Sequence, residues 1–124
     1  MIGPQGEEVT TMLVDIGDKV HVIERRMFDS DVRRHFFGAV ERVEASAIRI
    51  TGYVYVYDSS SSTYVRGKES RTRVIPLAAN GFVINVAPRE TNLDDVRYVE
   101  QNGRLTITDG GSFALDINEF GRLR

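Results

Sequence analysis

Residues 47–68 read AIRITGYVYVYDSSSSTYVRGK. Within this stretch Ile48, Ile50, Val54 and Val56 share one parity, and Arg49, Thr51, Tyr53, Tyr55 and Tyr57 share the other. Successive side chains of an extended chain point to opposite faces, so this is a strand with an aliphatic side and a tyrosine side. The aliphatic side is the natural core face. Ser59–Ser62 then form the loop of a hairpin. A four-residue loop pairs Asp58 with Thr63, Tyr57 with Tyr64, Val56 with Val65, Tyr55 with Arg66 and Tyr53 with Lys68. Directly opposed residues share a face. Tyr53, Tyr55, Tyr57, Tyr64, Arg66 and Lys68 are therefore expected on one surface, as aromatic rings beside two cations.

Three uses of that surface stay open. Tyrosine and arginine are enriched at protein interfaces. They also stack single-stranded bases and contact phosphates. Cross-strand aromatic and cation–π pairs can, finally, do no more than stabilise the ribbon. The interface reading leads, because an isolated two-stranded ribbon is marginal in water. Its valine side, Val54, Val56 and Val65, needs cover from the rest of the chain or from a second subunit. Closed homo-oligomers are the usual solution.

The rest of the chain continues in strands. KVHVIERRMF, from Lys19, follows the turn-like DIGD. HFFGAVERVEASAIRI holds two strands joined near Glu44–Ser46. Asn80-Gly81 is a type I′ hairpin signal that pairs roughly Val74–Ala79 with Phe82–Val86. Pro76 places its strand at an edge or a bulge, and Pro88 ends the next. Asn102-Gly103 is a second I′ candidate, and Phe113, Leu115 and Ile117 alternate inward after a turn at Asp109–Gly111. Only ETNLDDVRYV offers a helical turn, capped by Thr91 or Asn92. Seven to nine short strands in meander order point to an antiparallel barrel or sandwich.

The 124 residues suit one domain, with 41% hydrophobic and 27% charged residues, a globular balance. The expected organisation is a disordered lead-in over residues 1–11 and a single all-β domain over 12–124, with a barrel to about residue 87 and a β extension over about 93–118. There is no cysteine, which excludes disulfides and thiolate zinc sites and fits the cytoplasm. No apolar run reaches membrane-spanning length, and MIGPQGEEVTT lacks the pattern of a signal peptide. The net charge of −2 draws the protein onto neither nucleic acid nor an anionic membrane as a whole. Locally, Arg66, Lys68, Arg71 and Arg73 face only Glu69.

Little chemistry is encoded. His21, between Val20 and Val22, reads as a solvent-facing strand residue. His35 reads as a strand-start residue able to titrate near neutrality. Asp29/Asp31 and Asp94/Asp95 sit in turn-like sequence, where aspartate accepts backbone hydrogen bonds. No nucleophile elbow or phosphate loop is present. The expectation is no enzyme, no cofactor and no metal. Arg25, Arg26, Arg33 and Arg34 bracket the first turn and form a candidate anion site, with Glu24, Asp29 and Asp31 as ordinary partners.

The order KVHVIERR, then FFGAVERVEASAIRI with Gly38, Val40, Glu44 and Ile48, then FVINV, resembles the Sm-like small barrels, the group of the Hfq-type RNA chaperones. GDKV at Gly17–Val20 followed by a meander is nearly as similar to SH3-like barrels. The resemblance implies a strongly bent strand at a glycine, for which Gly38 and Gly52 are available. It departs at Glu44, where the family has aspartate, and near Ala47, where it has asparagine, so the family's RNA site is not carried over. The expected fold is all-β, a small antiparallel SH3-like or Sm-like barrel with a C-terminal β extension. The expected function is a non-enzymatic assembly or protein-interaction module forming a homo-oligomer, with RNA or single-stranded DNA binding as the alternative.

Overall fold

The computed structural model describes residues 13–26, 28, 30, 32–78 and 81–117. Nine strands follow one another: β1 (Lys19–Glu24), β2 (Arg34–Val43), β3 (Ala47–Asp58), β4 (Thr63–Arg66), β5 (Arg71–Pro76), β6 (Phe82–Ala87), β7 (Arg97–Gln101), β8 (Arg104–Thr108) and β9 (Ala114–Asp116). All pairings are antiparallel. The first six make one sheet in the order β4-β3-β2-β1-β6, with β5 also on β3. β5 lies along the first half of the long β3 and β4 along its second half, on the same side. The last three make a separate meander.

The aliphatic parity of β3 is a core face, as expected. Ile48 and Ile50 join Val20, Val22, Phe36, Val40 and Ile75 in one buried cluster, with Val54, Phe82 and Ile84 packed against it. Ile75 belongs to β5 and Ile84 to β6, at opposite ends of the sheet order. Their shared cluster shows that the sheet curls until its two edges approach. No ladder joins β5 to β6, so the barrel does not close among the described residues. Two features assist the curl. Glu41 is bulged out between the pairs Val40↔Ile50 and Arg42↔Arg49, and a bulge sharpens local twist. Gly38 and Gly52 face each other across β2 and β3. A Cβ on Gly52 would lie 2.0 Å from the Phe37 carbonyl oxygen, so no side chain fits at this approach.

The hairpin from Asp58 to Arg66 forms in the expected register, Asp58↔Thr63, Tyr57↔Tyr64, Val56↔Val65 and Tyr55↔Arg66. Asp58 holds the serine loop by accepting from the Ser60 amide and from the Ser60 and Ser61 hydroxyls. The ribbon ends sooner than expected. Gly67 donates to the Val54 carbonyl, the chain turns away, and β5 takes over the edge at Gly52↔Arg71. Lys68 therefore does not pair with Tyr53. Asn102 and Gly103 have φ of 55° and 76°, as a type I′ turn requires, between Gln101 and Arg104. Asn92 caps a single 3₁₀ turn, Leu93–Asp95.

The Asn80-Gly81 hairpin is corrected. Ala79 and Asn80 lie outside the described residues, but β5 pairs with β3 and β6 pairs with β1 rather than with each other. Burial explains the choice. Beside β1, Ile84 lies opposite Val22, and Phe82 and Ile84 pack against the aliphatic core.

The larger correction concerns the tyrosine side of β3, which is no open surface. Tyr55, Phe37, Tyr64 and Ala87 pack against Val96, Tyr98, Ile107, Phe113 and Ile117 in a second buried cluster. The C-terminal meander lies over the outer face of the curled sheet. Its inward residues, Phe113 and Ile117 among them as expected, need an apolar partner, and the tyrosine rings supply a broad one.

Candidate functional site

β1 alternates, so His21 points away from Val20 and Val22, toward the second core. It lies opposite Phe37 on β2 and Asn85 on β6. His35 lies opposite Ile23 and Tyr55 on the same face. The solvent-facing expectation for His21 is overturned, since its exposure is 0%. It is buried because its polar atoms are satisfied there. His21 Nε2 lies 3.1 Å from both His35 Nδ1 and the Tyr98 hydroxyl. The Tyr98 hydroxyl is 2.5 Å from His35 Nδ1, and Asn85 Nδ2 is 3.3 Å from His21 Nδ1. With the Asn85 amide donating to Nδ1, the His21 proton sits on Nε2 and points at Tyr98. The Tyr98 hydroxyl in turn donates to His35.

Electrostatics keeps this cluster neutral. Burial, then His35, pushes the His21 imidazole down to about 3. Burial, then Arg33, pushes His35 down to about 4, so it does not titrate near neutrality. Burial holds the Tyr98 phenol well above its ordinary value. The Tyr55 phenol, pushed up to about 12 chiefly by burial, donates to the Val96 carbonyl at 2.9 Å. Among the described residues no three histidine or carboxylate groups come together to hold a metal ion.

The six residues of the expected tyrosine surface separate. Tyr55 and Tyr64 are core residues, and Tyr64 stacks against His35 at 4.3 Å and Tyr98 at 4.7 Å. Tyr53 and Tyr57 are half-buried, each with an arginine over its ring: Arg66 at 4.5 Å and Arg33 at 5.6 Å. Arg66 also reaches the Asp94 carbonyl at 3.3 Å, tying β4 to the turn before β7. Lys68 is exposed, beyond the end of β4. The four arginines of the expected anion site separate as well. Arg25, Arg26 and Arg34 border a hollow of about 320 Å³ that also contains Glu24 and Ser30. Asp29 and Asp31 lie outside the described residues.

Arg33 borders a different and larger space. A half-open cleft of about 450 Å³ lies between the β3–β4 hairpin and the C-terminal meander. Tyr57, Thr63, Tyr64, Tyr98, Glu100, Leu105 and Ile117 also line it. Arg33 and Arg26 act on the Tyr64 hydroxyl, although burial still raises that phenol. Thr63 Oγ1 is buried without a hydrogen-bond partner. Sequence reasoning had Arg33, Tyr57 and Tyr64 in two separate groups and missed Glu100, Leu105 and Ile117. Only the docking of one sheet on the other brings these together.

These features define the class: an all-β protein of two antiparallel sheets, one curled around an aliphatic core and one laid over its aromatic outer face. Comparison with protein-family models, curated proteins and solved structures gives no match. No helix among the described residues is long and apolar enough to cross a membrane.

Proposed function

We propose that this chain is a non-enzymatic assembly module whose copies join through the edges of the curled sheet to form a homo-oligomer in the cytoplasm. The observation that carries the reading is β6. Phe82–Ala87 is an edge strand of six residues with no charge and no proline. Val83 and Val86 are 39% and 54% exposed, and no strand pairs with its outer side among the described residues. Edge strands of monomers normally carry lysine, proline or a bulge against pairing with another chain. At the other end of the sheet β5, also six residues long, pairs with no strand on its outer side among the described residues, although Arg71, Arg73 and Pro76 guard it more than β6 is guarded. Pairing β6 of one copy with β5 of the next is a head-to-tail contact, which closes into a ring when the rotation allows. The curled sheet and its strand order support a small SH3-like or Sm-like barrel as the unit that repeats.

Nucleic-acid binding has less support. Tyr55 and Tyr64 are 1% and 8% exposed, and the faces of Tyr53 and Tyr57 carry arginines. Light scattering after size exclusion tests the assembly. The wild type runs as a defined oligomer at micromolar concentration, and Val83→Lys/Val86→Lys runs as a folded monomer. A strictly monomeric wild type removes the proposal.

A further inference from the structure

Besides the edges, the described residues offer a half-open cleft lined by polar groups beneath the β3–β4 hairpin. Its volume of about 450 Å³ falls in the range of small-molecule sites. Among the described residues its lining contains two charged side chains of opposite sign, Arg33 just before β2 and Glu100 on β7. They make no ion pair with each other. Arg33 keeps donors to spare, since a guanidinium has five N–H groups, the Tyr57 ring takes only its face and the Tyr64 hydroxyl accepts one bond. The Thr63 hydroxyl is buried, unpartnered and part of the same lining. Leu105 and Ile117 give the cleft an apolar wall.

The geometry points to a small zwitterion with an apolar body, of the α-amino acid type, as the ligand of this cleft. Its carboxylate sits on Arg33. Its ammonium group faces Glu100, and its side chain lies against Leu105 and Ile117. A simple anion would use Arg33 but be repelled by Glu100, and a simple cation would meet the reverse. Only a ligand bearing both charges is matched by both residues, and the neutral sum of the lining charges fits a neutral molecule. Carboxylate and guanidinium can form two parallel hydrogen bonds, which fixes the orientation.

The experiment is a titration of the full chain, followed by amide chemical shifts, with leucine, 4-methylpentanoate and 3-methylbutylamine. Leucine is expected to saturate with a Kd on the order of a millimolar or tighter, moving amides near Arg33, Thr63 and Glu100. Each analogue lacks one charge and binds about tenfold or more weakly. In Arg33→Gln leucine falls to the level of the amine, and in Glu100→Gln it falls to the level of the acid. Arg73→Gln, at a position outside the cleft, leaves leucine binding unchanged. Two results overturn the proposal: no saturable shift with leucine, or an acid that binds as well as leucine and tightens in Glu100→Gln. The latter would make the cleft an anion site.

Discussion

His21 Nε2 lies 3.1 Å from the Tyr98 hydroxyl, although the two residues stand 77 positions apart in the chain. This contact fastens β1 of the curled sheet to β7 of the meander, and it is made by an imidazole that must stay neutral. The sign of the resulting pH dependence follows. In the unfolded chain a histidine takes up its proton as pH falls through about 6.5. In the folded chain His35 resists to about 4 and His21 to about 3. Between those limits the unfolded state binds more protons, so stability is whole above about pH 6.5 and declines below it, to about pH 4 for His35 and about pH 3 for His21. At roughly 1.4 kcal/mol per unit, each of the two histidines loses about 3 kcal/mol between pH 6.5 and 4. Urea midpoints at pH 7.5 and 4.5 measure it. In His21→Gln/His35→Gln the difference shrinks to what the carboxylates contribute, and an unchanged difference would discard the explanation.

Tyr98→Phe asks how much the bridging hydroxyl adds. Its removal leaves His21 Nε2 and His35 Nδ1 3.1 Å apart, still able to bond directly. The cost is accordingly small, about 1 kcal/mol at pH 7.5. Equilibrium unfolding of the variant checks the figure, and a loss of several kcal/mol would mean that the two rings do not bond directly.

The glycine pair gives a sharper contrast. An alanine Cβ at Gly52 meets the Phe37 carbonyl oxygen at 2.0 Å and the Gly38 Cα at 2.4 Å, both backbone atoms that cannot swing aside. Gly52→Ala should therefore cost about 3 kcal/mol or more. Gly81, with nothing within 4 Å of an added Cβ, is the control, and Gly81→Ala should be near neutral. Thermal unfolding of the two variants side by side decides between a packing requirement and a general dislike of substitution.

Which parts of this structure the chain announces depends on how local their causes are. The β3–β4 register follows from side-chain parity and a four-serine loop, both contained within Tyr53–Arg66. The Asn102-Gly103 turn follows from two residues that tolerate positive φ. Asn80-Gly81 carried the same signal, but β6 is placed by Val20 and Val22, far back in the chain. Long-range burial outweighs a turn preference there. His21 read as exposed because the groups that satisfy it, Asn85 and Tyr98, come from two distant strands. Likewise, Phe113 and Ile117 declared an inward face without naming what they face. The cleft inherits this difficulty, since Arg33 and Glu100 meet only after the two sheets dock.

The tyrosines themselves supply the last test, because core and surface rings differ in what truncation costs. Tyr55 touches Tyr98 edge-on at 5.3 Å, donates to Val96 and is almost fully buried. Tyr55→Ala opens a cavity between the sheets and leaves the Val96 carbonyl without its donor, for about 4 kcal/mol. Tyr53, on the same parity, is half-buried and shares its hydroxyl with Asp94 at 3.4 Å. Tyr53→Ala loses mainly the contact with Arg66, for about 1 kcal/mol. A surface row of equivalent rings would instead give two small and similar losses. Denaturant unfolding of the pair distinguishes the cases, and the large cost at Tyr55 should appear in a single transition, since the ring belongs to the core that joins both sheets.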